Sequence, residues 1–488
     1  SLASIPSFGY SGGGFLIGLQ VHPAYAFRVL DVGPSASARQ LAKDFRALWG
    51  EKSQLRRFRD GRVTEAVIWD ADSAGATAIR HKIVAIASEF LLTRHLASDV
   101  SVQCTNDQLD FVLRKECFAS SDTEEESVDN TAKLLGAFQR LSSSLKQLRK
   151  LPLQIHAVLP MWSGLVGLRT FSEAPHVCAG PGAPALSKMG KVSPFIETYK
   201  VAIQLEGSGS WPSDPEALEA TKAAFLISVG EHLATTYGIP SDPTIEFLDV
   251  FFMGYSFRLY VDMHTRLPRA PPASSASESK NWTQYYTDTQ HNGFMNSLRT
   301  KFPIFGNVCQ MAKRWIGCHL CSVCIAEEAI ELLCASIFVC SSIYPVPNSR
   351  ITGFARFLHL LATFEFDRQP LIVNLNEEMS NGDMNKVLKT FRSRRAAGTA
   401  PPLFICTPYD VESLSWTRKK PSRAELSTLV SLAKAAEARL TCLVVGDISA
   451  HNFTHVASTI GTMLWKTLFS TPLSPYDMLI YLHNQALP

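Results

Sequence analysis

The chain reads as an α+β protein of several domains, and three observations predict this. Strand-like and helix-like apolar patterns both recur, with strands concentrated in the first half and helices in the second. The length of 488 residues corresponds to roughly two to four domains. A low-complexity segment, residues 266–281 (RLPRAPPASSASESKN), separates the two halves.

Composition narrows the class. The chain is 46% hydrophobic and 19% charged, which fits a folded protein with a large core and excludes a disordered one. Net charge is only +3, so a case for nucleic acid must rest on local clusters. No apolar run approaches the ~18 residues of a membrane helix, and no membrane partner is expected. The segment Gly12–Gly18 is too short and lacks the basic flank of a signal peptide. The chain opens at Ser1 without Met and is expected to be an internal portion of a longer protein. Eleven Cys, mostly in apolar surroundings (Cys309, Cys334, Cys340, Cys442), favour reduced thiols inside the cell. With no secretory signal, the glycosylation patterns at Asn281 and Asn452 read as chance matches.

Along the chain, FLIGLQV and AFRVLDVG (residues 15–33) read as two strands, and Gln40–Leu48 as a short helix. WGEKSQLRRFRDGRVTEAVIW (49–69) joins a basic cluster to a strand. Arg56, Arg57, Arg59 and Arg62 surround Phe58, Asp60-Gly61 makes a turn, and Val63–Trp69 follows as a buried strand. Ile79–His95 has helical spacing. Residues 119–130 (ASSDTEEESVDN) form an acidic break, read as a solvated loop.

A second unit begins near Asn130. Leu134–Leu148 is an amphipathic helix, 151–160 a strand closed by Pro160, and 173–192 a Pro/Gly/Ala-rich loop. Tyr199–Leu205 reads as a strand, Asp214–Thr235 as a long helix, and Phe247–Val261 as two strands around Met253-Gly254. Beyond the linker, Phe305–Cys318, Ala326–Cys340, Gly353–Phe364 and Ala424–Leu440 carry helical spacing, with short strands at 370–374 and 402–406.

Three constellations could carry chemistry. Cys318, Cys321 and Cys324 have the spacing of an iron–sulfur or zinc site, but a fourth ligand is lacking and the segment is continuously apolar. Small buried hydrophobes are the plainer reading. Gly207-Ser208 followed by Asp214 and Glu216 has the outline of a polymerase-type phosphate turn with paired acids. Pro215 between the acids argues against a central strand. Asp214 as helix N-cap, Pro215 at the first position and Glu216 in the first turn account for every residue. The third set is basic: Lys313-Arg314 beside Trp315, Arg392–Arg395, and Arg418-Lys419-Lys420 after Trp416. Each alone suits a solvated face, and together with aromatics they suit an RNA surface. His81, His95, His156 and His232 have no spaced partner, and no hydrolase, metalloprotease, Walker or dinucleotide pattern is present.

Several segments in order resemble one family. They are WGEKSQLRRFRDGRVTEAVIW, IQLEGSGSWPSDPEALEATKAAFL, FLDVFFMGYSFRLYV, VCQMAKRWIGCHL with AEEAIELLCASIF, TGFARFLHLLATFEFDRQPLIVNLN, and LFICTPYD with SWTRKKPS. Together, from about residue 15 to 480, they look like the nucleolar RNA-associated protein family, also called nucleolar protein six. The resemblance implies an architecture similar to archaeal CCA-adding enzymes. It implies an accessory α/β domain over 1–125, a nucleotidyltransferase-like mixed α/β domain over 130–265, a linker over 266–284, and a helical poly(A)-polymerase/oligoadenylate-synthase-like domain over 285–440. Residues 441–488 would begin a truncated last domain. The Cys run at 318–324 and the tail from Thr441 depart from the family pattern.

The resemblance further implies a nucleolar, non-catalytic role in the small-subunit processome, with pre-ribosomal RNA, the U3 small nucleolar ribonucleoprotein and other processome proteins as partners. No cofactor and no metal would be required. The strand Tyr199–Gln204 offers Lys200 and Gln204 where acids would be needed, and Asp249 is a lone acid on a later strand. The expected RNA contacts are Lys52, Arg56, Arg57, Arg59, Arg62, Lys313, Arg314, Arg418, Lys419 and Lys420. Two other classes stay open: an active nucleotidyltransferase using Ser208, Asp214 and Glu216, and a purely protein-binding scaffold.

Overall fold

The computed structural model describes residues 25–69, 82–95, 126–149, 151–170, 198–206, 214–262, 278–340, 344–446 and 466–471, with positions 19, 21, 22, 175 and 212 besides. Two compact units are present. Residues 1–111, 341–362 and 431–468 form the first, and 112–340, 363–430 and 469–488 the second.

The first unit holds an antiparallel sheet of β1 (Leu30–Ser35), β2 (Ser53–Arg57) and β3 (Val63–Ile68), in the order β1-β3-β2. Helices α1 (Arg39–Trp49) and α2 (Ile83–His95) accompany it. Val67, Trp69 and Ile83 are buried, with Phe45, Trp49 and Phe90 packed against them. Trp69 meets Trp49 edge-on at 5.6 Å and donates its indole N–H to Asp31 at 2.7 Å. The strand expected over residues 26–33 starts later, at Leu30. Tyr25 and Ala26 instead turn back, donating their N–H groups to the His22 carbonyl. The expected strand at 15–21 lies almost wholly outside the described residues.

The second unit contains α3 (Glu126–Gln147), β4 (Ile155–Pro160), β5 (Thr198–Leu205), α4 (Pro215–Tyr237), β6 (Ser241–Pro243), β7 (Leu248–Phe252) and β8 (Tyr255–Asp262). The strands form one sheet in the order β4-β5-β8-β7-β6, with β5 and β8 parallel and the other pairs antiparallel. Met253 and Gly254, both at positive φ (53° and 85°), make the two-residue turn between β7 and β8. That is the geometry whose twist matches a hairpin. Alternate residues then face the same way. Tyr199, Val201, Ile203, Leu248, Val250, Phe257 and Leu259 point into the core. There they meet Leu134, Ala137, Leu141 and Leu145 of α3 and Phe225, Leu226, Val229 and Leu233 of α4. The spacing of three to four residues gives each helix one apolar stripe. Helix α3 begins earlier than expected, inside the acidic run, because Glu126 to Asn130 continue the helix.

Three helices follow in the second unit: α5 (Glu278–Lys301), α6 (Phe305–Cys318) and α7 (Glu327–Val339). Helix α5 begins within the stretch expected to be linker. Of α8 (Arg350–Thr363), residues 350–362 belong to the first unit. A parallel pair of short strands, β9 (Leu371–Ile372) and β10 (Ile405–Cys406), flanks α9 (Asn381–Ala396). Met379, Val387, Phe391, Phe404 and Cys406 make a small core there. The last long helix is α10 (Arg423–Gly446). No described helix is long and apolar enough to cross a membrane.

One buried ionic chain ties α5, α6, α7 and the 407–417 loop. Lys313 reaches Glu331 at 2.6 Å and Glu327 at 2.8 Å. The other oxygen of Glu331 meets His291 Nε2 at 2.6 Å, and His291 Nδ1 lies 3.0 Å from the Tyr409 hydroxyl. Burial alone would depress the Lys313 ammonium, but Glu331 and Glu327 outweigh it and raise it above its ordinary value. Burial would raise Glu331, and Lys313 with His291 reverses that and lowers it. Removing one partner of such a set leaves an uncompensated buried charge.

Glu331→Gln should therefore destabilise the chain by about 3–5 kcal/mol in urea unfolding. The Glu331 contribution is present above the ordinary Glu value, about 4.3, and is lost as pH falls through the depressed folded value. The gap between wild type and variant should close in acid. A gap unchanged between pH 7 and pH 3 would contradict this assignment.

Candidate nucleic-acid interface

The Arg-rich segment folds as an edge strand and a tight turn. Strand β2 pairs with β3 on one side only, with Arg56 opposite Thr64 and Arg57 opposite Val63. Phe58 N–H donates to the Arg62 carbonyl at 2.8 Å, and Gly61 closes the turn at φ 85°. Gly tolerates that angle without Cβ strain. Arg56, Arg57 and Arg59 are exposed. No described residue holds any of the three in an ion pair or hydrogen bond. Strand alternation sends Arg56 and Arg57 to opposite faces of the hairpin. Arg62 differs: its guanidinium meets Asp60 Oδ2 at 2.6 Å. The Arg62 backbone N–H, and then its side chain, hold the Asp60 carboxyl below its ordinary value. Lys52 is half-buried in the single turn before β2. The inward face is locally neutral, because buried Glu65 accepts from Arg46 at 3.1 Å and from the Ser53 hydroxyl at 3.0 Å.

The other basic sets divide. Lys313 and Arg314 do not face solvent: they are only 6% and 5% exposed, inside α6. This corrects their expected place on an RNA surface. Both lie on a largely buried helix, and Lys313 is the cation of the ionic chain above. Arg394 and Arg395 are also turned inward, donating to the carbonyls of Glu412, Thr399, Phe366 and Pro402. Arg418, Lys419 and Lys420 are exposed on the loop before α10. The Ser422 N–H and hydroxyl hold Glu425 below its ordinary value, with Lys420 adding to the effect.

The acidic candidates resolve as well. Asp214 accepts from the Ala217 N–H at 2.9 Å and caps α4, with Pro215 at the start and Glu216 in the first turn. Gly207 and Ser208 lie outside the described residues. The strand expected to carry the acids, β5, has Lys200 and Gln204 on one face, and Asp249 lies on the later strand β7, where it shares its face with Phe251, which offers no carboxylate.

In-register pairing builds one polar row across that face: Asp242, Asp249, Arg258 and Lys200. Arg258 closes on Asp249 with two bonds, Nε to Oδ1 and Nη2 to Oδ2, both 2.8 Å. Its guanidinium also lies 3.7 Å from the Phe247 ring centroid. Both Asp249 oxygens are thereby engaged, and the pair raises Arg258 above its ordinary value. Further along, Gln204 donates to Asp262 at 2.8 Å. Burial lowers the Lys222 ammonium, although Glu219 at 2.7 Å and then Asp262 oppose it. The Arg258 partner was missed at the sequence level, although the Met253-Gly254 turn sets residues equally distant from it opposite each other.

The three Cys sit around the turn after α6. Cys318 ends the helix and the buried Cys321 thiol donates to the His319 carbonyl at 3.3 Å. Burial, with Cys324 beside it, pushes Cys321 up. Among the described residues, no cluster of three or more His, Cys, Asp or Glu could hold a metal ion.

Asp214→Ala should cost about 1 kcal/mol of stability, the value of an N-cap. Arg258→Ala should cost about 1–2 kcal/mol, the net worth of a charged hydrogen-bonded pair that is partly exposed. Calorimetric melting of both variants checks these values, and an unaltered melt for either would remove its structural role.

Residues 8–97 match Nrap protein domain 3, residues 108–268 match Nrap protein nucleotidyltransferase domain 4, and residues 302–454 match Nrap protein PAP/OAS1-like domain 5. Nucleolar protein 6 of Xenopus laevis is 31% identical to the chain, over 96% of it and 41% of that protein. Nucleolar protein 6 of Homo sapiens is 30% identical, over 98% of the chain and 41% of that protein. The chain thus spans about two fifths of the length of these relatives. Among solved structures, terminal uridylyl transferase 4 from Trypanosoma brucei with bound ATP matches at 12% identity and TM-score 0.34, over 69% of this chain and 95% of that one. With matches to domains 3, 4 and 5 following one another over most of its length, the chain belongs to the Nrap family.

Proposed function

We propose that the chain is a non-catalytic RNA-binding scaffold of ribosome biogenesis, serving pre-ribosomal RNA processing in the small-subunit processome. Its relatives are named nucleolar proteins, and the nucleus, at the nucleolus, is its compartment. The observation that carries the reading is the opposite state of two guanidinium sites. Arg258 closes on Asp249 with two bonds, and the strand Tyr199–Gln204 offers Lys200 and Gln204 in place of acids, whereas no described residue holds Arg56, Arg57 or Arg59. A two-metal reaction needs carboxylate oxygens free to bind the ions, and an engaged Asp249 supplies none. Exposed cations that no described acid engages suit phosphate oxygens, and Phe58 stands between them. Pre-ribosomal RNA, the U3 ribonucleoprotein and neighbouring processome proteins are the proposed partners. Arg418, Lys419 and Lys420 are a second proposed contact. Lys52 and Arg62 are weaker members of the first, one half-buried and the other ion-paired.

Phosphate contacts release counterions, so affinity falls linearly with the logarithm of salt. Replacing Arg56, Arg57 and Arg59 together by Ala should weaken binding to single-stranded RNA and flatten the log–log salt slope by roughly two. Replacing Arg418, Lys419 and Lys420 should do likewise. Filter-binding titrations at several salt concentrations check both. An unchanged slope removes that segment from the interface, and failure of the wild-type chain to bind or crosslink RNA would favour a scaffold that holds proteins alone.

A further inference from the structure

A shallow, wide-open surface hollow of about 590 Å³ lies beside α3, lined by Gln139, Arg140, Ser143, Ser144, Tyr237, Ile239 and Phe252. It lies on the other side of the sheet from Asp249 and Arg258. Phe252 alternates with Leu248 and Val250, which face the helices, whereas Asp249 faces away. The hollow is therefore separate from the Asp249–Arg258 pair.

Three features define what would fit. First, charge: between Thr131 and Arg149 the chain has no acid and four cations, Lys133, Arg140, Lys146 and Arg149. Gln139, Arg140, Ser143, Lys146 and Gln147 share the solvent face of α3, opposite the apolar stripe. Second, shape and surface: the volume falls in the range of small-ligand pockets. Ile239 is buried beside it, Phe252 is partly covered, and the Tyr237 ring is 39% exposed at the end of α4. Third, polar edges: the amide of Gln139 and the hydroxyls of Ser143 and Ser144 border the same space. Among the described residues Arg140 reaches the Met253 sulfur, at 3.9 Å, a weak acceptor that leaves the guanidinium available for an anion. The Tyr237 hydroxyl lies 3.5 Å from Gln147 Oε1, a long contact, so the exposed ring and not the hydroxyl is what the site offers.

We propose that this cavity takes one unpaired nucleotide of a single-stranded RNA segment. The base lies against Tyr237 and Phe252, its polar edge meets Gln139, Ser143 and Ser144, and the flanking phosphates meet Arg140 and Lys146. An acidic peptide would use the cations but not the ring-lined hollow, and a nucleotide uses both. Stacking on an aromatic tolerates any base, so the site measures single-strandedness and not sequence. The inference rests on the RNA-binding reading and adds to it a site in the second unit.

The test uses the full chain with a fluorescent single-stranded oligouridylate carrying 4-thiouridine. Tyr237→Ala should weaken binding roughly tenfold, as loss of one stacked base does, while Tyr237→Phe should bind as the wild type does. Arg140→Gln should weaken binding and lower the salt slope by about one single-strand contact, roughly 0.7. Photocrosslinks should map to Tyr237 or Phe252, and thermal melts confirm that each variant is folded. If Tyr237→Ala and Arg140→Gln bind as tightly as the wild type while the Arg56, Arg57 and Arg59 variant is weakened, this site is refuted and the RNA reading stands. If the wild-type chain binds no oligonucleotide, both fall.

Discussion

The bidentate contact between Arg258 and Asp249 is the interaction on which the functional account depends. It is set by the fold itself. A two-residue turn at Met253 and Gly254 places the two residues in register on adjacent strands. Phe247 then braces the guanidinium from the side. The Asp249 carboxylate thus faces a fixed monovalent cation that cannot be deprotonated. The polar face of this sheet, within the segment that matches a nucleotidyltransferase domain, carries an internal salt link.

The same chemistry has a different outcome in the helical part. Lys313 and Arg314 look in the sequence like a solvated basic pair, yet α6 is covered on all sides. Burying an ammonium without partners is prohibitive, so the fold supplies Glu327 and Glu331 from α7 and completes the chain with His291 and Tyr409. A charge in such a place specifies how helices meet. A charge on β2, by contrast, costs little to leave in water and remains available to a ligand.

Much of this was legible in the residues, for identifiable reasons. Asp214, Pro215 and Glu216 announce a helix start because each residue suits one capping position, and the structure agrees. The stripes of α3 and α4 and the β7–β8 hairpin follow from apolar period and a Met-Gly turn. Burial of Lys313 was not legible, because sequence spacing shows one helix face and not the neighbours that close over the others. Helix α9 was missed although Ser380 and Asp383 form a reciprocal cap, since its surface is mostly polar. The α3 cavity escaped notice because its lining comes from three separate segments.

The most direct test of the central claim is nucleotide incorporation by the purified chain, using labelled nucleoside triphosphates, single-stranded RNA and Mg²⁺ or Mn²⁺. With Asp249 engaged by Arg258, the account predicts no incorporation above a protein-free control. Incorporation by the wild-type chain that disappears on Asp249→Asn would show that the acid still serves metal, and would contradict it.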